Sequence, residues 1–160
     1  MRLAATHPEW VLGFQDEVWF SRFSQPNLHT WTQEEPMHLI QQEADKTDID
    51  PKAIACYGLF RVDTGQMLLR FVEGRPVSGV TIGFLSWLCT RLAEEGKQAL
   101  LMIWDNASWH ISKAVRVWVT SHNRKVKREG GCRLLVCRLP SKSPWLNNIC
   151  LLYTSDAADE

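Results

Sequence analysis

The chain has 160 residues, 45% hydrophobic and 22% charged, which is long enough for one globular domain with a sizeable core. Its formal net charge is zero, so overall electrostatics indicate no partner. Residues 1–10 lack the apolar segment of a signal peptide, and no apolar run is long enough to cross a bilayer. The five cysteines are odd in number and lack zinc-site spacing, which favours reduced thiols and a cytoplasmic location.

The first pattern along the chain is a strand over residues 11–20. Its alternation puts Asp16 on a strongly apolar face and Glu17 on a mixed face. Aspartate is depleted in strands, and an inward charge is costly unless it is paired or bound to a metal. Asp16 therefore needs an explanation, which is either an ion pair with an arginine such as Arg22 or a metal site, whereas Glu17 needs none.

The next segment, residues 27–51, is polar, acidic and interrupted by prolines, which predicts a loop with a short strand around Trp31. Two strand-like runs follow, over residues 53–62 and 66–73. The intervening Asp63-Thr64-Gly65 is a short glycine-containing turn and indicates a hairpin.

The second half of the chain alternates helix and strand. A helical pattern runs from Ser78 to Gly96, and residues 98–104 then form an apolar strand that ends at Asp105. Ser112 or Ser108 caps a second helix, and residues 132–139 form a last strand. The positions expected to face the core are Val80, Phe84, Leu85, Leu88, Leu92, Ala114, Val115, Trp118 and Val119.

This order of elements predicts an α/β fold with a mixed sheet flanked by helices. In such a sheet the first strand can lie beside the strand that follows the first helix, which would make Asp16 and Asp105 neighbours. Asp105 would then project from the carboxyl end of a central strand, where open α/β sheets bind ligands. The simpler interpretations are that Asp105 is a helix cap or turn residue and that His110 has no chemical role.

Two neighbouring carboxylates repel each other unless a cation lies between them. Hard oxygen ligands favour Mg²⁺ or Mn²⁺, and a pair of such ions roughly 3.5–4 Å apart serves phosphoryl transfer. Because two acids are usually too few to hold both ions, we expect a third acid from elsewhere in the chain.

The charge is unevenly distributed, and a basic second helix together with the two carboxylates indicates a phosphodiester substrate. Residues 1–112 carry 9 Lys/Arg and 14 Asp/Glu, whereas residues 113–160 carry 9 and 4. Basic side chains can position a nucleic-acid strand without reading its sequence, and the simpler alternative is a solvated helix face. The candidate nucleic-acid-binding residues are Lys113, Arg116, Arg124, Lys125, Lys127, Arg128 and Lys142.

Three ordered blocks, FQDE at 14–17, WDNASWH at 104–110 and LPSKSPWLN at 139–147, resemble the signatures of DDE transposases. The resemblance is greatest to the bacterial insertion-sequence branch of the mariner-like superfamily. It implies a ribonuclease H-like fold, two Mg²⁺ or Mn²⁺ ions, and cleavage and strand transfer of transposon-end DNA into target DNA. It also implies a cytoplasmic, nucleoid-associated protein, homodimeric when intact. By this resemblance Asp16 and Asp105 are catalytic, metal-binding acids, and Asn106 and His110 have supporting roles.

The third block departs from the family pattern. The family continues as Asn-Pro-Ile-Glu, whereas this chain reads Asn147-Asn148-Ile149-Cys150, so the third acid is absent after Ile149. A thiol does not replace a carboxylate for a hard cation. The family's N-terminal DNA-reading region and C-terminal helix are also missing, and the final CLLYTSDAADE resembles a translated sequencing-library adaptor. We therefore expect a partial catalytic core over residues 1–149, incomplete at its C-terminus, and a non-native tail over residues 150–160.

The function predicted from these residues is that of a DNA transposase catalytic core, inactive as this fragment because the third acid is missing. The alternatives are another ribonuclease H-like nuclease and a non-enzymatic nucleic-acid-binding module. Strand transfer as opposed to plain hydrolysis separates the first two. In the third case Asp16→Ala would leave every activity unchanged. No membrane partner is expected.

Overall fold

The structure, a computed structural model, describes residues 6–21, 53–140 and 143–149. These ranges contain five strands, two long helices and one short 3₁₀ turn. The strands are β1 (Trp10–Ser21), β2 (Ala53–Arg61), β3 (Met67–Glu73), β4 (Ala99–Trp104) and β5 (Arg133–Arg138). The helices are α1 (Ser78–Glu94) and α2 (Lys113–Glu129), and the 3₁₀ turn is Pro144–Leu146.

The predicted elements are confirmed within these ranges, with ends that differ by one or two residues. The predicted loop over residues 27–51, the short strand around Trp31 and the proposed partner Arg22 lie outside the described residues, as does the tail over residues 150–160. The one-domain core over residues 1–149 and the non-native tail stay predictions.

The five strands form one mixed sheet in the order β3-β2-β1-β4-β5. The long strand β1 is central, antiparallel to β2 and parallel to β4. The pairing of β1 with β4 runs from Trp10 opposite Ala99 to Phe14 opposite Ile103. The first strand therefore lies beside the strand after the first helix, as the order of elements predicted.

The core lies between one face of this sheet and the two helices. On the sheet it contains Val11, Tyr57 and Leu100, and the largest contribution from the helices comes from α1. The buried core residues of α1 are Phe84, Leu85, Leu88, Cys89 and Leu92. A fully buried leucine or phenylalanine contributes about 1.5–3 kcal/mol, so this layer fixes the sheet on which the candidate site is built.

The buried face of α2 is narrower than the sequence predicted. Val115 is fully buried, and Trp118 and Val119 pack partly against the core, but Ala114 is exposed. On α1, Val80 is only partly buried, because α1 buries Thr81 instead, whose hydroxyl lies 3.3 Å from the Tyr57 hydroxyl.

The ends of α2 follow from local chemistry. Ser112 caps the helix, since its Oγ accepts a hydrogen bond from the backbone N–H of Val115 at 3.3 Å. Gly130 ends it with a φ of 83°, a conformation that glycine adopts without steric cost. Among the described helices none is long and apolar enough to span a membrane.

Candidate active site

The two aspartates predicted to converge lie at the same level of neighbouring parallel strands. Phe14 of β1 pairs with Ile103 of β4, and Asp16 and Asp105 each follow two residues later. A step of two residues along a strand keeps the same face, so Asp16 is on the face opposite the helices. Asp105 directly follows the last residue of β4. The structure thus brings together two side chains that are far apart in the sequence.

The carboxyl group of Asp16 is difficult to ionise in this position. Burial raises its pKa from 3.8 to about 6, and the nearby charges of Glu17 and Asp105 also raise it. The backbone N–H of Glu17 donates to Asp16 Oδ1 at 2.9 Å and partly opposes the rise. A cation beside this group would relieve the repulsion, because an opposite charge favours the ionised form.

Asp105 is held by one of its two oxygens. Its Oδ1 accepts from the backbone N–H of Ala107 at 3.0 Å and lies 2.6 Å from His110 Nδ1. Burial alone would raise the Asp105 pKa, but these two hydrogen bonds lower it. The bond to Ala107 makes Asp105 a turn residue as well as a candidate ligand. Its Oδ2 makes no hydrogen bond to the described part of the chain, and the side chain is 47% exposed.

His110 is buried between two carboxylates. Its side chain is 1% exposed, with Nδ1 on Asp105 and Nε2 at 3.1 Å from Oε2 of Glu17. Each ring nitrogen therefore has a carboxylate oxygen as its partner. Burial alone would lower the His110 pKa, but the bonds to Asp105 and Glu17 outweigh it and raise the pKa. The ring also lies against Trp104, with centroids 4.1 Å apart.

The interpretation that Glu17 needs no explanation is wrong. Its side chain is 4% exposed and carries three contacts, from His110, from Trp109 Nε1 at 2.5 Å and from Gln15 Nε2 at 3.0 Å. The mixed face of β1 is the one that the helical layer covers, which buries the Glu17 side chain. A glutamate in a central strand, together with a Trp-His pair in the second block, was the available signal.

The third sequence block docks beside the first. Asn147 Nδ2 donates to the backbone carbonyl of Gln15 at 3.1 Å, across 132 positions of the chain. Asn147 and Ile149 are both buried, with 3% and 0% exposure. Position 150, where the resemblance places the third acid, follows immediately but lies outside the described residues. Within residues 6–21, 53–140 and 143–149 no three His, Cys, Asp or Glu side chains form a metal-binding group.

Asn106 has an architectural contact. Its Nδ2 donates to the carbonyl of Leu139 at 2.6 Å, which joins the loop after β4 to the end of β5. It contacts neither Asp16 nor Asp105 through any described hydrogen bond. The supporting role that the resemblance implies for Asn106 stays a prediction.

The basic residues of α2 divide into two groups. Lys113, Arg116 and Arg124 line an open groove of about 410 Å³ together with Val117, Thr120 and Ser121. Lys125 and Arg128 instead lie 3.8 Å from Glu129, which partly balances their charge. Lys127 is exposed, and Lys142 lies outside the described residues. The structure therefore places three of the seven predicted cations in one groove.

Comparison with known proteins identifies a family. The family model described as DDE superfamily endonuclease matches residues 17–155. No curated protein sequence is significantly similar to the chain.

Three solved structures of Mos1 transposase are similar to this chain in fold. A Mos1 transposase paired-end complex with the left transposon end has a TM-score of 0.56 and 17% identity, over 90% of this chain and 40% of that one. A Mos1 mariner paired-end complex with Mn has a TM-score of 0.55 and 14% identity, over 92% and 41%. A Mos1 catalytic domain with Raltegravir and Mg has a TM-score of 0.55 and 13% identity, over 99% and 69%.

At these identities the structural matches show the fold alone, which is the ribonuclease H-like α/β fold of the Mos1 catalytic domain. The predicted fold class is therefore confirmed. The chain spans about two fifths of the length of the Mos1 chains in the paired-end complexes. The bacterial insertion-sequence branch stays a prediction. Because the family model covers most of the sequence, the chain belongs to the DDE superfamily endonuclease family.

Proposed function

We propose that this chain carries the catalytic core of a DNA transposase, in which Asp16 and Asp105 bind a divalent cation. The observation that supports it best is that each acid lies two residues beyond the last pairing of the adjacent parallel strands β1 and β4, in a chain of the DDE family. The similar Mos1 structures include complexes with a transposon end, with Mn and with Mg. Transposon-end and target DNA as partners, a homodimeric intact protein and a bacterial cytoplasmic location belong to the same proposal.

The residues present fit one hard cation. Carboxylate oxygens are the ligands that Mg²⁺ and Mn²⁺ prefer. The raised pKa of Asp16 reflects burial first and repulsion by Glu17 and Asp105 second. A cation would favour the ionised form, and Asp105 Oδ2 is available to bind it. When bound, a pair of such ions activates the attacking oxygen and stabilises the leaving oxygen in phosphoryl transfer.

The chain's own residues supply two further functions. The groove along α2 would bind the phosphate backbone through Lys113, Arg116 and Arg124, since such contacts position a duplex without reading its sequence. Asn147 donates to the carbonyl of Gln15, so the third sequence block, in which the resemblance places the third acid, docks on β1 next to Asp16. Because position 150 is a cysteine, we propose that this chain binds the cation but does not cleave DNA.

The proposal is tested by titrating the full 160-residue chain with Mn²⁺ and following the free ion by electron paramagnetic resonance. We expect saturable binding in the wild type and a loss of at least about tenfold in affinity in Asp105→Asn and Asp16→Asn. Glu94→Gln, an exposed carboxylate on α1, is the matched control and should bind as the wild type does. Unchanged affinity in Asp105→Asn would contradict the proposal and favour a non-enzymatic DNA-binding module.

The groove along α2 is expected to contribute to the affinity for DNA. Arg116→Gln combined with Arg124→Gln is expected to weaken binding to a short duplex uniformly across sequences and to reduce the salt slope by about 2, because each phosphate contact contributes about 0.9. The affinity is measured by fluorescence anisotropy at several salt concentrations.

The control for this prediction is Lys125→Gln combined with Arg128→Gln, which removes the same charge from the same helix outside the groove. We expect a smaller change in slope. Equal losses in the two double variants would show that α2 acts as a general positive surface and that the groove has no special role.

A further inference from the structure

Three side chains, those of Asp105, His110 and Glu17, are joined in series behind the candidate metal ligand. Oxygen Oδ1 of Asp105 contacts His110 Nδ1 at 2.6 Å, and His110 Nε2 contacts Glu17 Oε2 at 3.1 Å. The exposure of these side chains changes along the series, from 4% at Glu17 and 1% at His110 to 47% at Asp105. Glu17, at the buried end of the series, is therefore fixed in the core. Asp105, at the exposed end, is the candidate metal ligand.

The buried end is fixed at several points. Glu17 is on the central strand β1, and its Oε1 and Oε2 also accept from Trp109 Nε1 and Gln15 Nε2. The His110 ring lies against Trp104, 4.1 Å away between centroids, and meets Trp109 edge-on at 5.9 Å. A ring held on two sides and bonded at both nitrogens has one orientation, so it transmits the position of β1 to Asp105.

As a consequence, the two carboxylate oxygens of Asp105 differ in their hydrogen bonding. Rotation of a carboxylate about its last torsion is soft and has roughly two equivalent states when nothing holds it. Here Oδ1 is occupied by two donors, the ring of His110 and the backbone N–H of Ala107, and no described residue donates to Oδ2. A cation at this position would therefore meet a single, prealigned oxygen.

The arrangement is that of a metal ligand held by an outer partner. Ligands of bound metals in proteins are commonly held by a second residue that is itself hydrogen-bonded. Here His110 holds Asp105, and Glu17 holds His110.

We propose that Glu17 and His110 are positioning residues, which hold Oδ1 of Asp105 and leave Oδ2 to bind the cation. This inference rests on the function proposed above, because it assumes that Asp105 is a ligand. It adds a role for Glu17, which contacts neither cation nor substrate, and it assigns the buried histidine to alignment of the acid.

The test uses two variants of His110 in the full chain, each of which keeps only one of its two hydrogen bonds. An asparagine amide reaches the position of Nδ1 and can still donate to Asp105, whereas a glutamine amide reaches the position of Nε2 and can donate to Glu17. We expect His110→Asn, which keeps a donor to Asp105 but loses the contact with Glu17, to lose about tenfold in Mn²⁺ affinity. We expect His110→Gln, which leaves Oδ1 of Asp105 without its side-chain donor, to lose about 100-fold, the upper end of the usual effect of removing an outer partner. A purely structural histidine would not distinguish the two amides in this way.

Thermal unfolding of each variant shows whether it is folded. If His110→Gln does not fold, Glu17→Gln provides the test, because it keeps the volume and an acceptor for Trp109; we expect a loss of about tenfold in Mn²⁺ affinity. Equal affinity in the wild type and the folded variants would overturn the positioning role and leave the metal site intact. Equal losses in His110→Asn and His110→Gln would also overturn it. A wild-type chain without saturable Mn²⁺ binding would overturn the proposed function and this inference together.

Discussion

Replacing Asp16 with asparagine is expected to raise the free energy of unfolding of the metal-free chain by about 1–2 kcal/mol at pH 7.5. The pKa of Asp16 is about 6 in the folded chain against 3.8 ordinarily, chiefly because of burial. A folded-state pKa above the unfolded value favours the protonated form on folding. The stability that this gives is fully present below pH 3.8 and is lost as the pH rises through 6. Above pH 6 the ionised carboxylate therefore destabilises the fold, and asparagine removes that cost.

The measurement is urea unfolding from pH 4 to pH 8. The free energies of unfolding of the wild type and Asp16→Asn should become equal at the acidic end of this range. Asp63→Asn is the control with the opposite sign. Burial alone would raise the Asp63 pKa, but hydrogen bonds from Arg61 and Lys97 lower it, so this variant should lose stability at neutral pH. A loss of stability in Asp16→Asn at pH 7.5 would contradict the prediction.

Adding Mn²⁺ should reverse the order of the two proteins. A ligand that binds the folded state stabilises it in proportion to its affinity and concentration, and only the wild type retains both acids. A buried carboxylate that destabilises the free chain and stabilises the ion-bound chain is expected at a functional site, where stability is given up for activity. A reversed order of stability in Mn²⁺ would distinguish a metal-binding role of Asp16 from a simple packing defect at this position.

The parts of the structure that the sequence predicted are those with a local, periodic signal. The alternation in β1, the helical spacing after Ser78 and the unbroken apolar run of β4 each indicated one element. Because consecutive elements pack in only a few topologies, their order predicted that β1 lies beside β4 and Asp16 near Asp105. The sheet has β1 beside β4. That pairing depends on the order of elements rather than on any single contact.

The contacts that the sequence did not predict join residues far apart through loops. Glu17 was assigned to the face with weaker apolar character, and that face is the one covered by α1 and the loop after β4. Its partner His110 lies 93 positions away and reaches it because Asp105 and Ala107 form a tight turn. Nothing in periodicity specifies which side chains a turn directs inward.

Replacing Cys150 with glutamate is expected to strengthen Mn²⁺ binding and to give the chain DNA-nicking activity. The resemblance places the third acid at this position, and the preceding Ile149 and Asn147 are buried, with Asn147 bonded to the backbone beside Asp16. A third carboxylate raises the negative charge and the number of hard ligands at the site, and ligand charge sets the affinity of such sites. We expect Mn²⁺ affinity to rise at least about tenfold, or about 1.4 kcal/mol.

The same substitution should convert a chain that leaves supercoiled plasmid intact in Mn²⁺ into one that nicks it, because two ions need more than two acids. Cys150→Gln has the same length without the charge and should neither bind more tightly nor nick. Cys150→Glu combined with Asp105→Asn should lose the gain, which shows that the new acid acts together with the old pair. Equal nicking by the Gln and Glu variants would exclude a third metal ligand at position 150, and tighter binding without nicking would indicate that the chain lacks more than one acid of its active site.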